Sequence, residues 1–184
     1  RTWAEIDLDA LKSNVAAIRS ALPAGTGIIA VVKADAYGHG DQYIAAELES
    51  LGIRFFAVSN LEEALSLRRH GVAGEILVLG PTPWRRAGDL AKYNIIQTVH
   101  SLPYAESLSR QAARDGVTVR AHLKLDTGMG RIGFVIREDF DPRPEIRQAV
   151  ALPGLKMEGV FSHFSSADDI TEAGEGYTAL QRVR

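Results

Sequence analysis

Three short stretches place reactive side chains directly after apolar runs. The first is GIIAVV followed by KADAYGHG, in which Lys33 ends the run. A lysine there has two readings. Either it leaves the core and snorkels to solvent, or it is partly desolvated where a strand ends, so that its pKa falls and its amine becomes a nucleophile. Such an amine condenses with carbonyls, the aldehyde of pyridoxal phosphate among them. Tyr37, past a turn, offers a hydroxyl within reach of a phosphate, and Gly38 and Gly40 permit close approach of the backbone. His39 reads as structural.

The second stretch is HLKLDTGMGRIGF, residues 122–134. GMGRIG matches G-x-G-x-x-G, but a dinucleotide fingerprint must open a helix. The chain continues instead as FVIREDFDPRP, with Pro142 and Pro144. DTG also occurs at aspartic protease active sites, which belong to all-β folds. What remains is Lys124 and Asp126 at a strand end and a glycine-rich loop presenting Arg131. Arg131 is either a plain surface residue or the bidentate partner of a substrate carboxylate. Lys124 sits in an apolar strand, where an unpaired ammonium is costly. It should be paired or converted to an anionic group. The third stretch is GVFSHFSSADD, residues 159–169. His163, just past its apolar run, is either a satisfied structural histidine or a cofactor contact.

The elements that must position these residues alternate. Apolar, β-branched segments at 27–32, 54–58, 75–79, 94–99, 118–125 and 155–161 read as strands. Helical spacing falls between them. Residues 9–21 place Leu11, Val15 and Ile18 on one face after Asp7 and Asp9, which suit a helix start. Residues 41–50 begin at an N-cap-like Asp41. Residues 60–70 have Asn60 as cap and Glu62 and Glu63 in the first turn, and 103–115 end at Gly116. Strand and helix alternating with short connections predict a parallel sheet, and fully apolar strands predict one covered on both faces. A (β/α)₈ barrel needs eight strands and about 250 residues. This chain is therefore either a barrel truncated to about six β/α units or a doubly wound open sheet. Its end inside the helical segment YTALQRVR favours the truncated barrel. In either fold, function collects at the carboxyl ends of the strands.

The totals narrow the classes. The chain has 184 residues, 46% hydrophobic, enough for one domain with a substantial core. Net charge is −2, and its 21 Lys and Arg are scattered, which argues against nucleic acid as a partner. With no cysteine there are no disulfides and no thiolate metal sites, and no metal site is expected; the composition fits a reducing cytoplasm. No apolar run approaches the ~20 residues of a membrane span.

In this order and spacing, the three motifs resemble bacterial alanine racemase. VVKADAYGHG is similar to the family's pyridoxal-phosphate signature, KLDTGMGRIGF to its arginine loop, and GVFSHFSSAD to its third strand-end motif. TWAEIDLDAL is similar to the family's first strand and helix, which implies a strand over residues 1–7 outside the barrel. HGVAGEILVLGPTP is also similar to the serine/alanine racemases of vancomycin resistance. The resemblance implies that residues 1–184 are an incomplete N-terminal barrel domain, with a C-terminal β-domain absent from the chain. It implies pyridoxal 5′-phosphate as cofactor, an amino-acid substrate, a homodimer, and racemisation of alanine to supply D-alanine for peptidoglycan.

Role by role, the resemblance makes Lys33 the Schiff-base lysine and the acid or base on the D-side of Cα. Tyr37 would bond the cofactor phosphate. Arg131 would contact the cofactor's phenolic oxygen and the substrate carboxylate. Lys124 matches a lysine often carbamylated in the family, which would set a negative group beside Arg131. His163 would lie beside the cofactor ring. The opposite-face base, a tyrosine of the partner subunit's β-domain, would lie beyond residue 184, so the chain alone should be inactive. A non-catalytic pyridoxal-phosphate carrier would lack the arginine loop. A decarboxylase or D-amino-acid aldolase of the same barrel type fits the AYGHG turn less well.

Overall fold

A computed structural model describes residues 2–184. It divides into two compact units, one running to Gly80 and the other Pro81–Arg184.

In the first unit, the Asp7 carboxylate accepts the N–H groups of Asp9 and Ala10 and so caps α1 (Leu8–Ala21). Residues 2–7, expected as part of a strand, form none; they have no ladder partner among the described residues, and Arg1 lies outside them. β1 (Ile29–Val31) pairs in parallel with β2 (Phe55–Val58), and β2 with β3 (Glu75–Val78). Between β1 and β2 come the turn α2 (Lys33–Gly38) and helix α3 (Asp41–Ser50); α4 (Leu61–Arg69) links β2 to β3. Phe56, Val58, Ile76 and Val78 are fully buried, as expected of strands covered on both faces. β1 departs from that expectation. Ile29 and Val31 are 45% and 43% exposed, because β1 pairs with β2 alone among the described residues and nothing covers those side chains.

Asp41 is the first residue of α3 rather than its cap. Gly40 precedes it at φ 88°, and the Asp35 carboxylate receives the Asp41 N–H at 2.8 Å. The cap moves because the preceding turn brings Asp35 back over the helix start.

In the second unit, α5 (Ala87–Lys92) leads to β4 (Ile95–Val99), α6 (Leu102–Asp115), β5 (Val119–Asp126), β6 (Phe134–Val135), α7 (Arg143–Ala151), β7 (Leu155–Phe161) and α8 (Glu172–Val183). β5 is central, pairing in parallel with β4 and β7 and, at its end, with β6. Val99, Ala121, Leu123, Phe134 and Ala149 form its core. α6 ends in a left-handed Gly116, as expected. GMGRIG opens no helix. Phe134–Val135 is a short strand and α7 starts only at Arg143, with Pro144 in the first turn, where its missing N–H costs nothing.

Candidate active site

Lys33 is the second residue past β1 and partly buried. The four residues after it, Ala34, Asp35, Ala36 and Tyr37, have φ of 51°, 56°, 50° and 56°. This is a turn of left-handed helix. For L-residues that conformation costs about 1–2 kcal/mol each, and it is ordinarily visited by single residues. Sustained over four non-glycine residues, it must be held by its surroundings. The Ala36 N–H bonds the Val32 carbonyl at 3.0 Å, and the Gly40 N–H bonds that of Asp35 at 3.0 Å. His39 Nδ1 lies 2.8 Å from the Ala36 carbonyl, so that nitrogen carries the proton and the ring braces the turn. His39 is thus structural, as expected. The turn leaves Tyr37 62% exposed and sets Lys33 Nζ 5.8 Å from the centre of its ring. The amine and the phenol therefore share one corner, with the hydroxyl open to a ligand.

One further contact reaches the turn from a distance. The Ala34 N–H donates to a Glu63 carboxylate oxygen at 3.1 Å, and the Ser59 N–H to the other at 2.7 Å. From the sequence, Glu63 is legible only as a residue of the first turn of α4.

The second unit holds the other expected residues. Lys124 is 4% exposed. Its Nζ donates to the Leu125 carbonyl at 2.9 Å and stands 5.4 Å from the centre of the Phe161 ring. Burial pushes its pKa down; the charge of Arg131 adds to that, and Asp126 opposes it. The cost anticipated for an ammonium in HLKL is therefore present, and Lys124 is drawn toward its neutral, nucleophilic form. Asp126 is also buried. Burial alone would raise its pKa. The N–H groups of Gly130 and Gly128, each 3.0 Å from Oδ1, outweigh it together with Lys124, and hold the carboxyl below its usual range. This fold of the loop onto its own aspartate presents Arg131 at the surface, exposed.

His163 is exposed just past β7, and its carbonyl accepts Gln181 Nε2 at 3.3 Å. Gln181, 2% exposed on α8, also donates to Thr127 Oγ1 at 3.3 Å and accepts the Ser165 N–H at 3.0 Å. Thr127 Oγ1 in turn lies 2.6 Å from Ser162 Oγ. One buried amide thus links the arginine loop to the loop carrying His163. A lone glutamine in a helix carries no signal in the sequence, and this one was missed. Lys33 and Tyr37 are brought together in the first unit, and Lys124, Asp126, Arg131 and, through Gln181, His163 in the second.

The chain is similar to known proteins over most of its length. The family described as alanine racemase, N-terminal domain, matches residues 6–184. The alanine racemase of Desulfosudis oleivorans is 46% identical over 172 residues, 90% of this chain and 44% of that protein. That of Clostridium tetani is 46% identical over 179 residues, 97% of this chain and 45% of its own length. The solved alanine racemase of Clostridium difficile 630 superposes with a TM-score of 0.89 at 37% identity, covering 99% of this chain and 47% of that one. The chain spans about half the length of the curated relatives it matches. The match decides between barrel and open sheet in favour of the barrel portion of alanine racemases. On these grounds the chain belongs to the alanine racemase family, as its N-terminal domain.

Proposed function

We propose that this chain is the lysine-bearing part of a pyridoxal-phosphate-dependent alanine racemase, acting in the cytoplasm as a homodimer and supplying D-alanine for peptidoglycan. The observation that carries the reading is Lys33. It is an amine at the carboxyl end of a parallel strand, followed by a strained backbone turn that the sheet itself does not require. Composition supports the compartment: the chain has no cysteine, and among the described residues no helix is long and apolar enough to cross a membrane. The homodimer rests on the family resemblance.

The residues present fit the cofactor. Lys33 provides a partly buried primary amine to hold the aldehyde, and Tyr37 an exposed hydroxyl for the phosphate. On the family resemblance Arg131, exposed in the second unit, would meet the phenolic oxygen and the substrate carboxylate, and His163, also exposed there, would lie beside the ring. Pyridoxal phosphate, when bound, supplies an electron sink that lowers the barrier to removing the proton on Cα.

Lys33 moves that proton on the D-side of Cα. Inversion needs a second group on the opposite face, which the reading assigns to a tyrosine outside this chain. Lys124 supports Arg131. The neutral form of its amine, which burial favours, is the one that would add carbon dioxide, giving a carbamate and releasing a proton. The carbamate would carry negative charge beside the guanidinium.

The test is borohydride trapping of pyridoxal phosphate on the full-length protein and on Lys33→Ala, with peptide mass mapping and an assay of D-alanine formed from L-alanine. Label at Lys33, lost together with racemisation in the variant, is expected. Label scattered over other lysines would overturn the assignment.

A further inference from the structure

We propose that Glu63 is the positioning residue that holds Lys33 for its chemistry. This rests on the reading of Lys33 as the lysine that holds the cofactor. The β1–β2 ladder explains why such a residue is needed. The Val32 N–H donates to the Ala57 carbonyl at 2.9 Å. In a parallel pair the next donor in phase lies two residues on, at Ala34, and its acceptor in phase is the Ser59 carbonyl. That carbonyl is already taken, by the Gly80 N–H at 3.1 Å, on the side of β2 where Val58 accepts from Leu79 at 2.8 Å. β2 has turned away from β1 at this point. The Glu63 carboxylate takes the vacated place. One oxygen accepts Ala34 N–H at 3.1 Å, and the other accepts Ser59 N–H at 2.7 Å and Ser59 Oγ at 3.0 Å.

Capping alone does not account for this. Asn60 caps α4 by accepting the Glu63 N–H at 3.0 Å, which puts Glu63 third in the helix. In a capping box its carboxylate would return to the Asn60 N–H. Here it reaches one residue further back and across to Ala34, twenty-nine positions away, at the entry to the left-handed turn. Lys33 lies between Val32, held by the ladder, and Ala34, held by Glu63. Both peptide neighbours of the lysine are thereby pinned, which fixes the direction in which its side chain leaves the strand.

The experiment uses the full-length protein, as wild type, Glu63→Gln and Glu63→Ala, each with and without Ala34→Gly. The two N–H groups face different carboxylate oxygens, and in glutamine one of these becomes an NH₂, which cannot accept, so in this geometry only one N–H keeps its acceptor. Glycine tolerates the left-handed region freely, so at position 34 it removes part of the need for an anchor. Three quantities are read: borohydride-trapped pyridoxal phosphate at Lys33, amide exchange of the 33–40 peptide, and melting temperature.

Losing a hydrogen bond to a charged acceptor should lower Lys33 labelling about tenfold in Glu63→Ala and less in Glu63→Gln. Exchange at 33–40 should rise in parallel while exchange elsewhere is unchanged, and Ala34→Gly should restore most of the labelling. A merely structural glutamate would not be rescued by glycine at 34. Labelling unchanged in Glu63→Ala, or lost only with a general rise in exchange, would overturn the proposal. The exchange readout needs no cofactor. Absence of label at Lys33 in the wild type would end the Lys33 reading, whereas unchanged exchange at 33–40 in Glu63→Ala would end this one.

Discussion

The Tyr177 hydroxyl donates to the Gly128 carbonyl at 2.7 Å, across 49 positions of the chain. It fastens α8 to the loop that presents Arg131. One turn further along the same helix, Gln181 fastens Thr127 and the Ser165 N–H. The arginine loop is therefore held from outside by α8 as well as from within by Asp126.

Replacing Gln181 by Leu should be the most damaging change on α8. It removes the amide that bonds the Ser165 N–H, the His163 carbonyl and Thr127 Oγ1, at a helix position that is 2% exposed. Losing several hydrogen bonds, at about 0.5–1.5 kcal/mol each, outweighs losing one. Tyr177→Phe, at a partly exposed hydroxyl, should cost only about 0.5–1.5 kcal/mol. Urea unfolding of the two variants checks the order, and equal losses would contradict it.

Gly133→Ala should be poorly tolerated. Gly133 has φ +132°, and a Cβ there would stand 2.8 Å from the Asp126 nitrogen and 2.9 Å from the Lys124 carbonyl oxygen. Both obstacles are backbone, so the loop must move. We expect a loss of at least about 2 kcal/mol and weaker binding of substrate carboxylate, read as a raised KM for alanine in the full-length protein.

The buried lysine sets a pH dependence. Lys124 has a folded pKa below its ordinary 10.5, chiefly from burial. Between the folded value and 10.5 the unfolded chain binds more protons, so stability rises with pH across that window. In Lys124→Met this rise should disappear, and at neutral pH the variant should be as stable as the parent or more so. A carbamate at Lys124 would replace the ammonium. Isotope-labelled bicarbonate should then give a carbonyl resonance in the parent that Lys124→Met lacks. Asp126 acts in the same sense in the acid range: its pKa is held below 3.8, so its contribution is present above that value and is lost as pH falls through the folded pKa.

Ala34→Gly should stabilise the protein, against the usual rule. Releasing one left-handed residue at φ 51° recovers about 1–2 kcal/mol, and the added freedom of the unfolded chain takes back about 0.4–1. Ala17→Gly, at an exposed position of α1, should instead cost about 1 kcal/mol. Opposite shifts in melting temperature for the two substitutions are the expected result.

The 184-residue chain by itself should not racemise alanine, while the full-length protein should. Purification of both and a D-alanine assay decide this; turnover by the short chain would refute the two-face mechanism as proposed.

What the sequence by itself determined was local. Asn60 was legible as a cap, and Asp7 and Asp9 as residues suited to a helix start, because a cap acts within three residues, and the six strands because β-branched runs mark themselves. Lys124 was legible as a problem because its neighbours in HLKL are apolar, and Lys33 because it terminates such a run. Tertiary structure decided what depends on partners distant in the chain. Nothing in ADAY favours four left-handed residues; the conformation exists because Val32, His39 and Glu63 hold it. Gln181 acquires its role only when α8 lies against Thr127, 54 positions earlier. The exposure of Ile29 and Val31 followed likewise from what does not cover β1, not from their composition. A side chain's type limits the bonds it can make, and which of them form depends on the groups the fold brings within hydrogen-bonding distance.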